Sequence, residues 1–452
     1  MNALDQYIDL YTCNADTVCA NSASVLNAAR NNALETLKTL KRLPEKGDEG
    51  YEKISINDLF TPDYGVNIAR VNIPVDLAEV FHCGVPTAST WVGAVANDKF
   101  VPTQTLMRNL PEGIIVTSLA KASEEYSDII SAYYGKIASE KRGGATMLAL
   151  NTLLAQDGIF IHVARGVKAA KVLQIVNLLS SPVPLMAVRR VLVIAEEESE
   201  VSILFCDHSK GKVSCLSSQV IEVYAGVGAR INICDMEESS VSTSRISQLF
   251  AVQEEASTLK ISGLTLLNGT TRNEYYIVQK GDSAVTGLNG MAIGNDTQHI
   301  DNFSELNHCG NRGRSNQLFK YVLDGKASGA FEGSITVEKE ARFNEAYQSN
   351  RNILASRDAR MHSKPRLLIY NDDVKCSHGA TTGQLDRNAL FYMQQRGIPL
   401  SEARTMLMQA FMMDVIDSVS IDGLSERLRH LVEKRFKGEE MMCAECNAKH
   451  GV

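Results

Sequence analysis

The sequence predicts a mainly β protein with helical ends, and three observations predict it. Helical periodicity fills about the first 60 residues, short alternating runs fill the middle, and helices return after Gly383. Within the middle a small residue, a spacer and an apolar residue recur at "SEVSI" from Ser199, "ARINI" from Ala229, "STLKI" from Ser257 and "SAVTG" from Ser283. The spacings of 30, 28 and 26 residues match one coil of a parallel β-helix built from three short strands and their corners. A β-sandwich is the alternative, because "LNGT" at 267–270 and "LNGM" at 288–291 carry hairpin-type Asn-Gly turns.

Taken in order, "SVLNAARNNALETLKTLKRLP" places Val25, Leu26, Ala29, Ala33, Leu37 and Leu40 on one helical stripe that Pro44 stops. Residues 61–150 are mixed, with a strand-like "GIIVTSLA" and a helix around "EYSDIISAYYGKI". We therefore divide the chain into a helical and mixed region at 1–150, a β core at 151–382, a helical region at 383–438 and a Cys/His tail at 439–452. In the third region Asp386 is a helix N-cap, Gly397 a stop, and Pro399-Leu400-Ser401 the start of a helix running to about Ser420. A last amphipathic helix uses Leu424, Leu428, Leu431 and Val432.

Bulk properties narrow the function. The chain has 452 residues, 44% of them hydrophobic, and a net charge of −7 without a Lys/Arg-rich block, which argues against nucleic acid and anionic membranes as partners. The N-terminus carries Asp5, Asp9 and Asp16 and lacks the pattern of a secretory or transit peptide. Its most apolar stretch, "VLQIVNLLSSPVPLMAVRRVLVI", is interrupted by Pro182, Pro184, Arg189 and Arg190 and does not read as a membrane span. Ten cysteines without a secretion signal suggest free thiols and a cytoplasmic location.

The densest chemistry lies in "NDDVKCSHGATTGQLD", residues 371–386. On an extended strand Cys376 and His378 point to the same face, where a thiol and an imidazole can address one iron or a persulfide; the alternative is a buried thiol beside a hydrogen-bonded imidazole. Asp372 and Asp373 suit turn or capping roles better than a pair of acid and base, since neighbours on a strand face opposite ways. Gly379 and Gly383 are read as the exit from the sheet. "SKGKVS" and "DGKASG" lack the remaining residues of a phosphate-binding loop, so nucleotide energy is expected from a partner. In "SEARTMLMQAFMMDVIDSVS" the spacing gives Leu407, Ala410, Phe411 and Val415 to the helix's own domain and leaves Met408, Met412 and Val419 for another surface. Cys443, Cys446 and His450 make a weak three-ligand metal pattern.

The segment "KPRLLIYNDDVKCSHGATTGQLDRNALFYMQQRGIPLSEARTMLMQAF", Lys364 to Phe411, resembles the SufB/SufD family of iron–sulfur cluster assembly scaffolds, and its Cys-Ser-His-Gly-Ala-Thr core resembles the SufD branch. The likeness extends through "SNQLFKYVLDGKASGAFEGSITV" and "LNTLLAQDGIFIHVARGV", covering about residues 150–430, although Leu368 stands where the family usually has Glu. It implies a right-handed parallel β-helix between helical regions and a non-catalytic scaffold. The implied partners are a SufB-like subunit and the ABC ATPase SufC, with a homodimer of the isolated chain as a further state. It also implies that His378 aligns with the functional histidine of SufD, with Cys376 beside it as a transient iron ligand. The ATPase is then expected to dock on the C-terminal helices around Met408, Phe411, Met412 and Val415. No permanent cofactor is expected, only a nascent iron–sulfur cluster at the partner interface. A β-helix polysaccharide lyase or hydrolase using Asp372 or Asp373 and a solenoid without bound chemistry are the rivals.

Overall fold

The computed structural model describes residues 3–73, 90–103, 106, 110–138, 144–209, 211–421 and 423–439. Cys443, Cys446 and His450 lie outside the described residues. The chain opens with helices α1 (Ala3–Ala20), α2 (Ser24–Leu40) and α3 (Ile56–Phe60), followed by strands β1 (Thr90–Ala96), β2 (Lys99–Val101) and β3 (Ile114–Ser118). Helices α4 (Leu119–Glu125), α5 (Ser127–Tyr133) and α6 (Ala145–Leu154) come next.

Sixteen strands then run without an intervening helix. The first eight are β4 (Ile159–Val163), β5 (Val172–Leu179), β6 (Leu185–Ala195), β7 (Glu200–Ser209), β8 (Cys215–Ala225), β9 (Arg230–Glu238), β10 (Thr243–Gln253) and β11 (Thr258–Leu267). The second eight are β12 (Thr270–Gln279), β13 (Val285–Gly294), β14 (His299–His308), β15 (Arg314–Leu323), β16 (Ser328–Val337), β17 (Glu345–Leu354), β18 (Arg360–Ile369) and β19 (Lys375–Gly383). Helices α7 (Arg387–Gln395), α8 (Leu400–Ser418) and α9 (Leu424–Lys437) close the described chain.

Successive strands alternate between two sheets. Odd strands from β5 to β19 stack in parallel, even strands from β4 to β18 do the same, and each coil contributes one strand to each sheet. This is a parallel β-solenoid with two long strands per coil, not the three short ones expected from the coil length, which fixes the perimeter of a coil but not its number of sides. The sandwich alternative had the two facing sheets right and the connections wrong: Asn268-Gly269 lies at a corner between stacked sheets, and Asn289-Gly290 lies inside β13. Gly290 is needed there because a Cβ would meet the Phe319 ring at 2.1 Å.

The repeat seen in the sequence is the corner of the coil. Glu200, Arg230, Thr258, Val285, Arg314, Glu345 and Lys375 stack in register at the starts of the odd strands. Two residues ahead of each of the first six, Glu198, Gly228, Ala256, Ser283, Arg312 and Phe343 hold φ between +55° and +65°. Each donates its N–H to the corner of the next coil, as Ser283 does to Asn311 O at 2.7 Å and Phe343 to Asp373 O at 2.7 Å. The small residue between turn and strand is buried at Ser199, Ala229, Ser257 and Ala284, where a larger side chain would obstruct the bend. The fourth repeat therefore begins at Ala284, one residue later than the sequence pattern suggested, because Ser283 is the left-handed turn residue.

Burial organises the rest. Ile203, Phe205, Ile233, Ile261, Leu288, Phe319 and their facing partners on the even sheet fill the interior. The outer face of the even sheet packs Met186, Val188, Leu216 and Ile246 against α1, α2, α3 and α6. The outer face of the odd sheet packs Leu204, Cys234, Met236, Leu264, Met291 and Val322 against α8 and α9. In α2 the buried stripe is Leu26, Arg30, Ala33 and Leu37, while Leu40 is exposed. Arg30 enters it because its guanidinium donates to the carbonyls of Leu153 and Ala155 and so caps α6. Charge also enters the solenoid: inward-facing Arg189 pairs with Asp207 at 3.0 Å, and Arg245 with Asp235 at 2.5 Å and Asp207 at 2.9 Å. Next to them burial lifts Glu237 to about 7 against the opposing pull of Arg245 and the Thr271 hydroxyl, which donates to it at 2.8 Å.

Candidate functional site at the last coil

The quoted cluster from 371 to 386 forms the last corner and the last odd strand. Asp372 and Asp373 sit in the turn before β19, exposed to solvent. Asp373 N–H donates to Asn371 Oδ1 at 2.9 Å, and its carbonyl accepts from Phe343, so this segment is a solenoid corner rather than a carboxylate pair flanking a cleft. Gly379 lies in the middle of β19, which continues to Gly383, so only Gly383 marks the exit from the sheet. Asp386 caps α7 as expected, accepting from Asn388 and Ala389, and Gly397 ends the turn after it at φ +84°.

Cys376 and His378 pair in register with Ala346 and Gln348 of β17, both buried in the interior. The thiol and the imidazole therefore continue the inner face of the solenoid at the point where it stops. Asn352, in register with Thr382, donates to the Thr382 hydroxyl at 3.1 Å, which confirms that inner side chains of β17 and β19 stack on one another. Cys376 is half-buried and His378 exposed. Burial pushes the Cys376 thiol above its ordinary range, opposed by a backbone hydrogen bond at Ala346, so it is protonated at neutral pH until a metal or base takes the proton. Among the described residues no group of three His, Cys, Asp or Glu side chains converges as a metal site. Two donors alone do not make a four-ligand iron environment.

What adjoins this pair is as informative. β18 and β19 are the last strands of their sheets, each with one unpaired edge. Among the described residues every exposed aromatic one, Phe343, Tyr347, Tyr370, Phe391 and Tyr392, lies on β17, in the corners before β17 and β19, or on α7. No residue of α7 is buried. Sequence reasoning did not single out these rings, and their only signal was proximity to Cys376 and His378.

The methionine helix faces the other way from the sequence expectation. Met408, Met412 and Val419 are buried against the odd sheet, together with Val415, while Ala410 is exposed and Leu407 and Phe411 are partly covered. Buried Lys320 on β15 sets the rotation: its amino group donates to Phe411 O at 2.7 Å and to Asp414 at 2.5 Å, and lies 4.7 Å from the Phe411 ring centroid. The outward side of α8 instead carries Leu400, Met406, Ala410 and Asp414. The Gly-Lys of "DGKASG" is another corner, with Gly325 at φ +59° and Lys326 N–H bonded to Asp296 O. No helix among the described residues is long and apolar enough to cross a membrane.

A parallel β-solenoid flanked by helices, with a thiol and an imidazole on its last coil and an unpaired strand edge beside them, is the architecture in hand. Residues 178–411 match the SufBD core domain of the SUF system for iron–sulfur cluster assembly, and residues 1–175 match the SufBD protein N-terminal region. The chain belongs to the SufB/SufD family. It is 28% identical over 432 residues, 92% of this chain and 93% of the relative, to an iron–sulfur cluster assembly SufBD family protein of Synechocystis sp.. It is 26% identical over 333 residues to the iron–sulfur cluster assembly protein SufD of Bacillus subtilis, covering 72% of this chain and 75% of that one. It is also 32% identical over 158 residues to SufD of Escherichia coli, 35% of this chain and 37% of that protein. Within the family the chain is SufD-like.

Proposed function

We propose that this chain is a non-catalytic scaffold subunit that builds nascent iron–sulfur clusters together with a SufB-like subunit and a SufC-like ABC ATPase in the cytoplasm. The observation that carries this reading is the unfinished last coil, where two unpaired strand edges, exposed aromatic rings and the Cys376–His378 pair occupy one end of the solenoid. A partner solenoid adding strands to β18 and β19 satisfies the free backbone groups and covers the rings. The same edges can join two copies of this chain when it is alone. The coil is taken as right-handed, as in parallel crossover connections generally.

At the joint, Cys376 and His378 offer a soft and a borderline ligand to iron that arrives as cargo, and the partner supplies the rest. The ATPase docks on the C-terminal helices, through the outward side of α8 around Met406 and the partly covered Phe411, with Met408, Met412 and Val415 supporting that surface from beneath. A polysaccharide-cleaving reading has no support from Asp372 and Asp373, which form a corner.

The test is the cluster content of the complex purified with its partner subunits, counted per intact complex, for wild type and His378→Ala. Loss of most of the cluster from an intact complex is expected. Equal content returns His378 to a purely structural role.

A further inference from the structure

The interior polar residues beneath His378 form a ladder, and its last rung is unfinished. Gln317 of β15, Gln348 of β17 and His378 of β19 stack in register on the inner face of three successive coils. Ser304 donates to Gln317 Oε1 at 2.8 Å, and Gln348 Nε2 donates to the same oxygen at 3.1 Å. Gln348 is only 3% exposed, yet its Oε1 has no hydrogen-bond partner. An amide whose N–H₂ is committed to the preceding coil presents its carbonyl to the following one. The residue of the following coil in register with it is His378. Gly333 makes room for this arrangement, since a Cβ there would meet Gln348 Nε2 at 2.3 Å.

We infer that Gln348 is a positioning residue for His378, its Oε1 accepting one imidazole N–H and so leaving the other ring nitrogen as a lone pair facing out of the coil. An orphaned buried carbonyl is costly unless it finds a donor, and the donor that the register places next along the stack is the imidazole N–H of His378. Histidines that bind metal commonly donate their second nitrogen to such an acceptor, which fixes both tautomer and ring plane. This inference deepens the proposed role of His378 and rests on it for its functional meaning, but not for its geometry.

The experiment uses the full chain with ¹⁵N-labelled histidine at about pH 8.5, where imidazole is neutral, with His378→Gln to assign the resonance. Wild type is expected to show one dominant His378 tautomer. Gln348→Leu, and Gln348→Asn as the smaller perturbation, are expected to release it to a mixture. In the assembled complex the same variants are expected to lower cluster content several-fold, with complex yield and melting temperature retained. Equal tautomer populations in wild type, or an unchanged pattern in a folded Gln348 variant, overturn the inference. If His378→Ala keeps its cluster while the tautomer still responds to Gln348, the ladder stands and the functional reading of His378 falls.

Discussion

At its first end the solenoid is finished by short antiparallel strands, β2 on β1 and β3 on β4, and by α4 packed against β3 and β4, whereas at its last end the outer edges of β18 and β19, ten and nine residues long, pair with no strand among the described residues. Of β19 only Cys376 is even half-buried. An exposed parallel edge of that length is an aggregation hazard that proteins ordinarily blunt with charge, proline or cover. Here β18 is partly blunted by Arg360, Lys364, Pro365 and Arg366, but from Gly379 onward β19 carries only glycine, alanine and threonine, with exposed aromatic rings in the corners before β17 and β19. The two ends share one backbone architecture but differ in finish: one end is closed by the chain itself, and the other has the open edge that the proposed function assigns to a partner.

The comparison predicts that changes on closed surfaces cost stability and changes on the open end cost association. The largest effect is expected from Met412→Asp, which places an uncompensated carboxylate between α8 and the odd sheet at a position with no exposure. A loss of about 3–5 kcal/mol, read as a collapse of the denaturant midpoint or of soluble yield, marks that face as closed. A stable Met412→Asp protein with only its ATPase binding lost would instead make it a free docking surface.

That example also shows what the sequence could and could not convey. The coil repeat was legible because the earlier odd-strand corners place a buried small residue after a left-handed turn, with Ser199, Ala229 and Ser257 at those positions, although Asn344 takes the place later on. The rotation of α8 was not, because Leu407, Met408, Ala410, Phe411, Met412, Val415 and Ile416 surround the helix and no period selects a side. The choice is made by Lys320, which is distant in sequence. Cys376 and His378 were legible as a same-face pair from strand geometry alone. Gln348 was not, since β17 fills its inward positions with Gln348, Asn350 and Asn352 while Tyr347 faces out, which reverses the usual apolar-in alternation, and only the register puts Gln348 beneath His378.

The closed interior gives the next effect, through pH. Glu237 is held at about 7 by burial, above its ordinary 4.5, so the folded state binds a proton that the unfolded chain releases between these values. Stability from this group is full below about 4.5 and is lost as pH rises through 7. Glu237→Gln keeps an acceptor for the Thr271 hydroxyl and removes the titration. The variant should match wild type near pH 4.5 and exceed it by on the order of 2–3 kcal/mol near pH 8. Chemical denaturation across that range checks the sign, and a gap that shrinks with rising pH would refute it.

At the open end, Ala380→Pro removes a backbone N–H on the free side of β19, because Lys375 N–H bonds to Asn344 O and alternate residues of a parallel strand point their peptide groups to opposite sides. Partner association should weaken at least about tenfold, or 1.4 kcal/mol, in sedimentation or pull-down measurements, with the isolated chain's unfolding midpoint little changed. Unaltered association would mean that the edge is not the joint.

The smallest effect on stability is expected from Met406→Asp, and it decides whether the outer side of α8 is a docking surface. Met406 lies on the same helix as Met412, six residues earlier, but is 44% exposed. Its side chain leaves little apolar area to lose on substitution, and the new carboxylate stays in water, so the unfolding free energy should move by no more than about 0.5 kcal/mol. The same carboxylate at a protein joint would be desolvated opposite an apolar partner, at a cost of about 1–3 kcal/mol or more. Titration of the ATPase onto wild-type and Met406→Asp proteins, each verified as folded, separates the two cases. A drop in affinity of tenfold or more with stability unchanged assigns the outward side of α8 to the ATPase. Equal affinity would move that joint to α7 or α9 and leave Phe391 and Tyr392 of α7 as the next residues to change.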